Sequence, residues 1–427
     1  MPTLTDTTPR TRDPKAYLGG LLEILKDEER FAATKARISA ETAAFTRDHR
    51  EELKPTWGRA SLTLGKTLLG VLSPLLLAWR LADVGLWPVA ALLLPIAGVA
   101  LYGGISIIHD AVHGSFFPSR RANRLLGELL APLFAMDFMT FKRSHMKHHR
   151  HNQSLTHDPK YPKVPWPAEI LGEEEAEKRD GGVVAALLRL PIRGWFALAR
   201  GVLRCPAIVR HAFYVATVMV FGGPVAILFG GEISLLDRDW RAGGPLFSLL
   251  RTVLTYALLA WTSPLLCALT LGAVWIALGC FFLVYLTHLT PYQIYVDGKN
   301  PAVRFFSLNI TDIELGPITR AFGNSFTEHH AAHHLVPFAP SYRLPTVGAW
   351  LDAALGDLKA PKLRLNTIAD TTFLGDGIVG SIVGPRDRHW PQYETANGTF
   401  ISRVADEPAG RDPAPSLSVS QLIAAIR

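Results

Sequence analysis

The sequence predicts an all-α protein: a multi-pass membrane helical bundle of two hairpins and about four spans, closed on one side by a histidine-rich cap. Three observations predict it. The chain is 48% hydrophobic and only 19% charged over 427 residues, where a soluble domain carries about a quarter charged residues, and its mean hydropathy is positive, +0.18. The apolar residues gather into runs of membrane-spanning length rather than short alternating segments. The histidines gather as well, in clusters that follow those runs.

Composition excludes several classes. The net charge of +7 is not laid out as a basic stripe interleaved with aromatics, so no nucleic-acid partner is expected. The basic residues crowd into segments that flank apolar runs, as on the cytoplasmic side of a membrane protein. Cys205, Cys267 and Cys280 offer neither a disulfide framework nor zinc-ribbon spacing. Residues 1–60 are charged and polar, without an apolar h-region or a small-residue cleavage site, so insertion is expected to rely on the first span.

The elements follow in order. Residues 16–54 read as one or two surface helices in a cytoplasmic N-terminal segment, 1–60. A membrane domain is expected over 61–345. Its first run, Leu62 to Leu81, is bounded by Lys66 and Arg80, which can snorkel to the interfaces. The second runs from Leu86 to Ile108 after an ADVG turn, so His109 emerges on the side where the chain began. Arg124 to Phe141 is apolar but broken by Glu128, Pro132 and Asp137, and reads as interfacial. From Val183 to Arg210, five arginines alternate with apolar positions, a second interfacial pattern. Three apolar runs follow, near 212–230, 246–263 and 265–287. If all histidine clusters meet on one side, one of the three does not cross. Gly222, Gly223 and Pro224 interrupt the first and the second carries Arg251, and the sequence leaves the choice open. Residues 346–427 read as a cytoplasmic C-terminal region with a poorly ordered tail from about Asp387.

The stretch TEHHAAHHLVP places four histidines within six residues. His330, His333 and His334 are spaced i, i+3, i+4, which puts them on one helical face. HMKHH supplies His145, His148 and His149 at the same spacing, and HDAVH supplies His109 and His113 at i, i+4. His288 ends the last apolar run. A solvated polar turn would explain one such stretch, but 15 histidines in 427 residues do not gather into three by chance. Eight or nine imidazoles are too many for one ion and suit two, with four or five nitrogens each. Imidazole binds iron, copper, zinc and nickel alike, so ligand type does not choose the metal.

Three boxes of the form HxxxH, HxxHH and HxxHH, in HDAVHGSFF, SHMKHHRH and HHAAHHLVP, resemble those of the membrane fatty-acid desaturase and hydroxylase superfamily, over residues 60 to 345. The long N-terminal segment and the wide spacing of the second and third boxes look most like bacterial Δ12/ω-6-type desaturases. The resemblance implies a di-iron cap: two non-haem iron ions at the cytoplasmic membrane face, O2 as co-substrate, and a double bond introduced into a fatty acyl chain. It implies His109, His113, His145, His148, His149, His330, His333 and His334 as ligands, with His288 matching a further histidine after the last span. Where some members carry a water-bridging Asn, this chain has Val284, and Asn324 is the substitute candidate. His329 is an alternative to His330, since the family also tolerates HxxxHH. Glu328, Asp110 and Asp158 are candidates for orienting imidazoles; solvated helix-end carboxylates are the plain alternative. His151 and His157 lie near the second box, and His49, His211 and His389 read as surface residues.

The expected substrate is a fatty acyl lipid, acyl-CoA or acyl-ACP. Two electrons per turnover must come from outside, because three scattered cysteines hold no ferredoxin cluster and no cytochrome b5-like HPGG motif is present. An external ferredoxin or cytochrome b5-type donor is implied. GDGIVG at 375–380 fits GxGxxG without a strand–helix context and reads as a loop. HDAVHGS also looks like the first box of carotenoid ketolases and hydroxylases, which keeps that chemistry as the alternative. A histidine-rich metal transporter would instead carry ionisable groups deep within its spans. Ala, Leu, Gly and Arg usage points to a bacterial inner membrane.

Overall fold

A computed structural model describes residues 14–159, 209, 244–288, 290, 292–314, 317–322, 326–364 and 392–402. Two long hairpins form its body. Helix α4 (Trp57–Asp83) pairs with α5 (Trp87–His113), and α8 (Gly244–Thr262) with α9 (Pro264–Leu286). All four are long and apolar enough to cross a membrane. Their outward residues, among them Leu69, Leu92, Leu254 and Leu258, are exposed large apolar side chains. A belt of that size is what a lipid-facing surface requires. Trp57, Trp87 and Trp261 are exposed at helix ends, where amphipathic rings sit at headgroup level.

The hairpins pack through small residues. A Cβ at Gly98 of α5 would lie 2.5 Å from Ile276 of α9, so only glycine permits this approach, the usual solution where helices pack without water. Arg251, the charge within α8, pairs with Glu128 of α6 (Arg120–Leu130) at 2.9 Å. Its presence is therefore compatible with a span. Among the described residues these four helices place the C-terminal ends of α5 and α9 beside the same histidine groups. The run near 212–230 lies outside the described residues, as does the arginine-rich stretch before it apart from Val209.

Helix α6 covers the start of the stretch expected to be interfacial; its Leu125 and Leu129 are exposed, Asn123 and Gly127 buried. After the 3-10 turn Ala131–Phe134, α7 (Phe138–His151) starts at Asp137, whose side chain accepts from Thr140 N at 2.7 Å. Helix α5 stops at Gly114, whose φ of 71° is the left-handed cap that glycine adopts without strain.

The cap is built from α10 (Val303–Ser307), α11 (Pro317–Phe322), α12 (His330–Leu335), α13 (Leu344–Leu355) and two small sheets. Strands β2 (Ile313–Glu314) and β3 (Leu363–Arg364) pair in parallel. The N-terminal helices α1 (Pro14–Lys26) and α2 (Glu28–Asp48), with the short α3 (Arg50–Leu53) after them, lie against this cap. Phe45 stacks on Trp350 at 4.4 Å, Phe31 meets Phe305 edge-on at 5.4 Å, and Arg37 pairs with Asp357 at 2.7 Å. Segments on both sides of the expected boundaries near residues 60 and 345 thus share one core with the spans.

Part of the C-terminal region falls within the described residues. The tail expected to be poorly ordered from about Asp387 contains a hairpin, β4 (Gln392–Thr395) and β5 (Gly398–Ser402). Strand β5 pairs antiparallel with β1 (Ile294–Val296), which follows α9. Composition pointed to disorder because the region is rich in Pro, Gly and charge. The pairing is long-range, and Phe400 and Ile401 are buried by it.

Candidate metal centre

Three helices deliver the histidines. The last turn of α5 carries His109 and His113, α7 carries His145, His148 and His149, and α12 carries His330, His333 and His334. Successive residues on an α-helix differ by about 100° in direction, so each adjacent pair, 148/149 and 333/334, points two ways. The consequence is two groups. His109, His113, His145, His149 and His333 form one, and His148, His288 and His334 the other, with ligand atoms within 4.8 Å of one another in each. His330 joins the second through a 3.3 Å contact between its Nε2 and that of His334, and its ring centre is 4.8 Å from that of His288.

In the first group the Nε2 atoms face one another: His113 to His145 at 2.9 Å, His145 to His149 at 2.9 Å, His149 to His333 at 3.0 Å. A neutral imidazole has one N–H, so five rings converging on one spot cannot satisfy one another with hydrogen bonds. His109 makes this plain. It is 2% exposed, and neither ring nitrogen has a hydrogen-bond partner among the described residues. Its Nδ1 lies 3.7 Å from Asp110 Oδ1, too far for a hydrogen bond. Buried unsatisfied nitrogens are costly, and a metal ion removes the cost. Burial, reinforced by neighbouring histidines, pushes the His333 and His334 imidazoles well below the usual histidine range. Both are therefore neutral and can offer lone pairs. The donor set fits a pair of metal ions.

The second group is oriented from behind. His148 Nδ1 lies 2.8 Å from Asp158 Oδ2, with both side chains fully buried. The carboxylate accepts, so Nδ1 carries the proton and Nε2 turns its lone pair toward the group. His330 Nδ1 lies 2.8 Å from Thr287 Oγ1, whose own proton goes to Val284 O at 2.6 Å. Thr287 must then accept, which fixes His330 in the same tautomer. Helix α12 is anchored at its start: Asp312 Oδ1 accepts from Ala331 N at 2.9 Å, and its Oδ2 pairs with Lys359 at 2.8 Å. Burial alone would lower the Lys359 pKa, but Asp312 and Asp352 outweigh it and hold the ammonium above its usual range.

The remaining candidates fall outside the two groups. His329 is turned toward α13, where its ring abuts Gly348. His151 and His157 meet at a tilt, with ring centres 5.4 Å apart. His49 stacks on Phe45, half-buried rather than at the free surface. Asp158 orients an imidazole, whereas Asp110 accepts from Ser341 N at 2.7 Å and Glu328 pairs with Arg320 at 2.9 Å. Val284 is buried in the core. Asn324, His211, His389 and the GDGIVG stretch lie outside the described residues. Sequence reasoning missed Thr287, Asp312 and Lys359. Their partners are distant in sequence or belong to the backbone, and no spacing rule reports such contacts.

Fold and site together define an α-helical membrane protein with a paired histidine centre at one end of its spans. The chain belongs to the fatty acid desaturase family, whose profile it matches over residues 85–364, a family of the di-iron histidine-box type. Among curated proteins it is similar to a β-carotene ketolase of Paracoccus sp. (strain PC1), 36% identical over 107 residues, 22% of this chain and 44% of the ketolase. It is also similar to the Δ(12) acyl-lipid conjugases (11E,13E-forming) of Impatiens balsamina and Momordica charantia. The first is 24% identical over 281 residues, 61% of this chain and 66% of the conjugase. The second is 23% identical over 269 residues, 57% and 59% respectively. The chain thus spans less than two thirds of each of these relatives.

Proposed function

We propose that this protein is an O2-dependent oxidoreductase that introduces a double bond into a fatty acyl chain. The observation that carries the reading is the division of three histidine boxes between two buried groups at the open end of the spans. In this reading His109, His113, His145, His149 and His333 hold one iron, and His148, His288, His330 and His334 the other. Two bound irons supply the O2 activation needed to break unactivated C–H bonds. The balance is one O2, two electrons, two protons and two hydrogens from the acyl chain, giving a double bond and two waters.

The chain's own residues shape and dry the site. Asp158 and Thr287 keep His148 and His330 presenting their Nε2 atoms. Phe326 lies 4.3 Å from the His109 ring and Phe141 5.5 Å from His145, so apolar rings pack against the first group. The apolar belt supports a substrate drawn from the membrane: an acyl lipid, or an acyl-CoA or acyl-ACP. Electrons come from an external ferredoxin or cytochrome b5-type carrier. Basic flanking segments and bacterial composition support a bacterial inner membrane with the site on its cytoplasmic face.

The ketolase match supports a second reading, carotenoid ketolation or hydroxylation, because it is the more identical alignment although it covers 22% of the chain. The conjugase matches cover more than half and favour acyl chains. Metal transport is not favoured, since the histidines gather at the ends of spans and not along them. The test is a mass-spectrometric fatty-acid profile of a host expressing the chain, beside its His148→Ala variant. New unsaturated acids confined to the intact protein support the desaturase. An unchanged fatty-acid profile with newly oxidised carotenoids in a carotenoid-producing host would transfer the assignment to the second reading.

A further inference from the structure

The helix that carries the second histidine box has another face. Arg143, Met146, Lys147 and Arg150 fall at i, i+3, i+4 and i+7 of α7 and so share one side. All four are exposed, Met146 at 42%, while His145 and His148 are buried. Phe138–His151 contains no Asp or Glu. Arg143 bonds within its own helix, to Thr140 Oγ1 at 3.2 Å. Among the described residues none of Arg143, Lys147 and Arg150 forms an ion pair. Like charges three and four residues apart repel and weaken a helix, so this pattern does not serve the fold. A flexible apolar side chain framed by cations has instead the make-up of a contact surface for an anionic partner.

Resting on the oxidoreductase reading, we infer that this face of α7 is the docking site of an acidic one-electron carrier protein. Three considerations select that occupant. The proposed reaction takes two electrons per turnover, and three cysteines cannot store them in a cluster of this chain. A carrier seated here is separated from both histidine groups by one helix, about 10 Å across, and His145, His148 and His149 project from its inner side. The exposed leucines of the helices lie on α4, α5, α6, α8 and α9, whereas this face offers one methionine among charges. Each docking oxidises one carrier by one electron, and two dockings complete a turnover.

The test uses the full-length protein in nanodiscs of neutral lipid. Binding of an acidic plant-type [2Fe–2S] ferredoxin and of soluble cytochrome b5 is measured against ionic strength for wild type, for Arg143→Glu/Lys147→Glu/Arg150→Glu, and for Arg30→Glu/Lys35→Glu on α2. The expected result is at least a tenfold rise in Kd for the tighter-binding carrier in the α7 variant alone, together with a flatter salt dependence. Equal Kd in all three proteins, or no binding of either carrier to wild type, overturns the inference. So does an α7 variant that loses affinity for phosphatidylglycerol vesicles while keeping it for the carrier, which would make the face a lipid contact. Turnover driven by dithionite separates the two levels: its absence in wild type would remove the oxidoreductase reading, while an unchanged dithionite rate in the α7 variant excludes damage to the centre.

Discussion

The two histidine groups are built differently although α7 and α12 contribute to both; α5 serves the first alone, and the second takes His288 from the end of the last span. The first draws five histidines from α5, α7 and α12, and its rings mainly meet one another. The second is smaller and more deeply buried, and two of its imidazoles are held from behind, one by a carboxylate and one by a hydroxyl. Helix periodicity alone arranges much of the first group. The second depends on residues outside the boxes to choose its tautomers. A site with fewer ligands has less redundancy, so each orienting contact weighs more.

The comparison can be broken most severely at His148. His148→Ala is expected to reduce product to background and to lower iron, measured by plasma mass spectrometry on purified protein, from two atoms per chain toward one. Two atoms retained would refute the division into groups. Asp158→Asn keeps the shape but removes the charge behind His148, and an iron affinity or activity about 10–100-fold lower is expected, read by chelator competition. Lys359→Met leaves Asp312 buried and unpaired beside α12. Breaking such a pair costs about 3–5 kcal/mol, visible as a lowered melting temperature in detergent. Thr287→Val removes a neutral acceptor and is expected to weaken iron binding less than Asp158→Asn does. The smallest effect belongs to His329→Ala, which should leave iron stoichiometry unchanged. A lost iron there would return His329 to the ligand set.

Much of the fold was legible because its signals are local. Leu62–Leu81 and Leu86–Ile108 announce a hairpin by length and apolarity, and i, i+3, i+4 spacing places imidazoles on one face. Arg251 left the second of the later runs in question, since its partner Glu128 sits on another helix. The hairpin at 392–402 was hidden because strand pairing with Ile294–Val296 is a long-range property. His329 and His330 are equivalent by spacing, and the packing of the His329 ring against Gly348 of α13 separates them.

By itself the sequence determined the apolar runs, the three boxes and the imidazole chemistry they bring, because hydropathy and helical period act within one segment. Only the tertiary structure decided which of two adjacent histidines faces which group. That choice depends on how α7 and α12 are rotated about their axes, and rotation is set by neighbouring helices and by anchors such as Asp158 and Asp312, which no local pattern encodes.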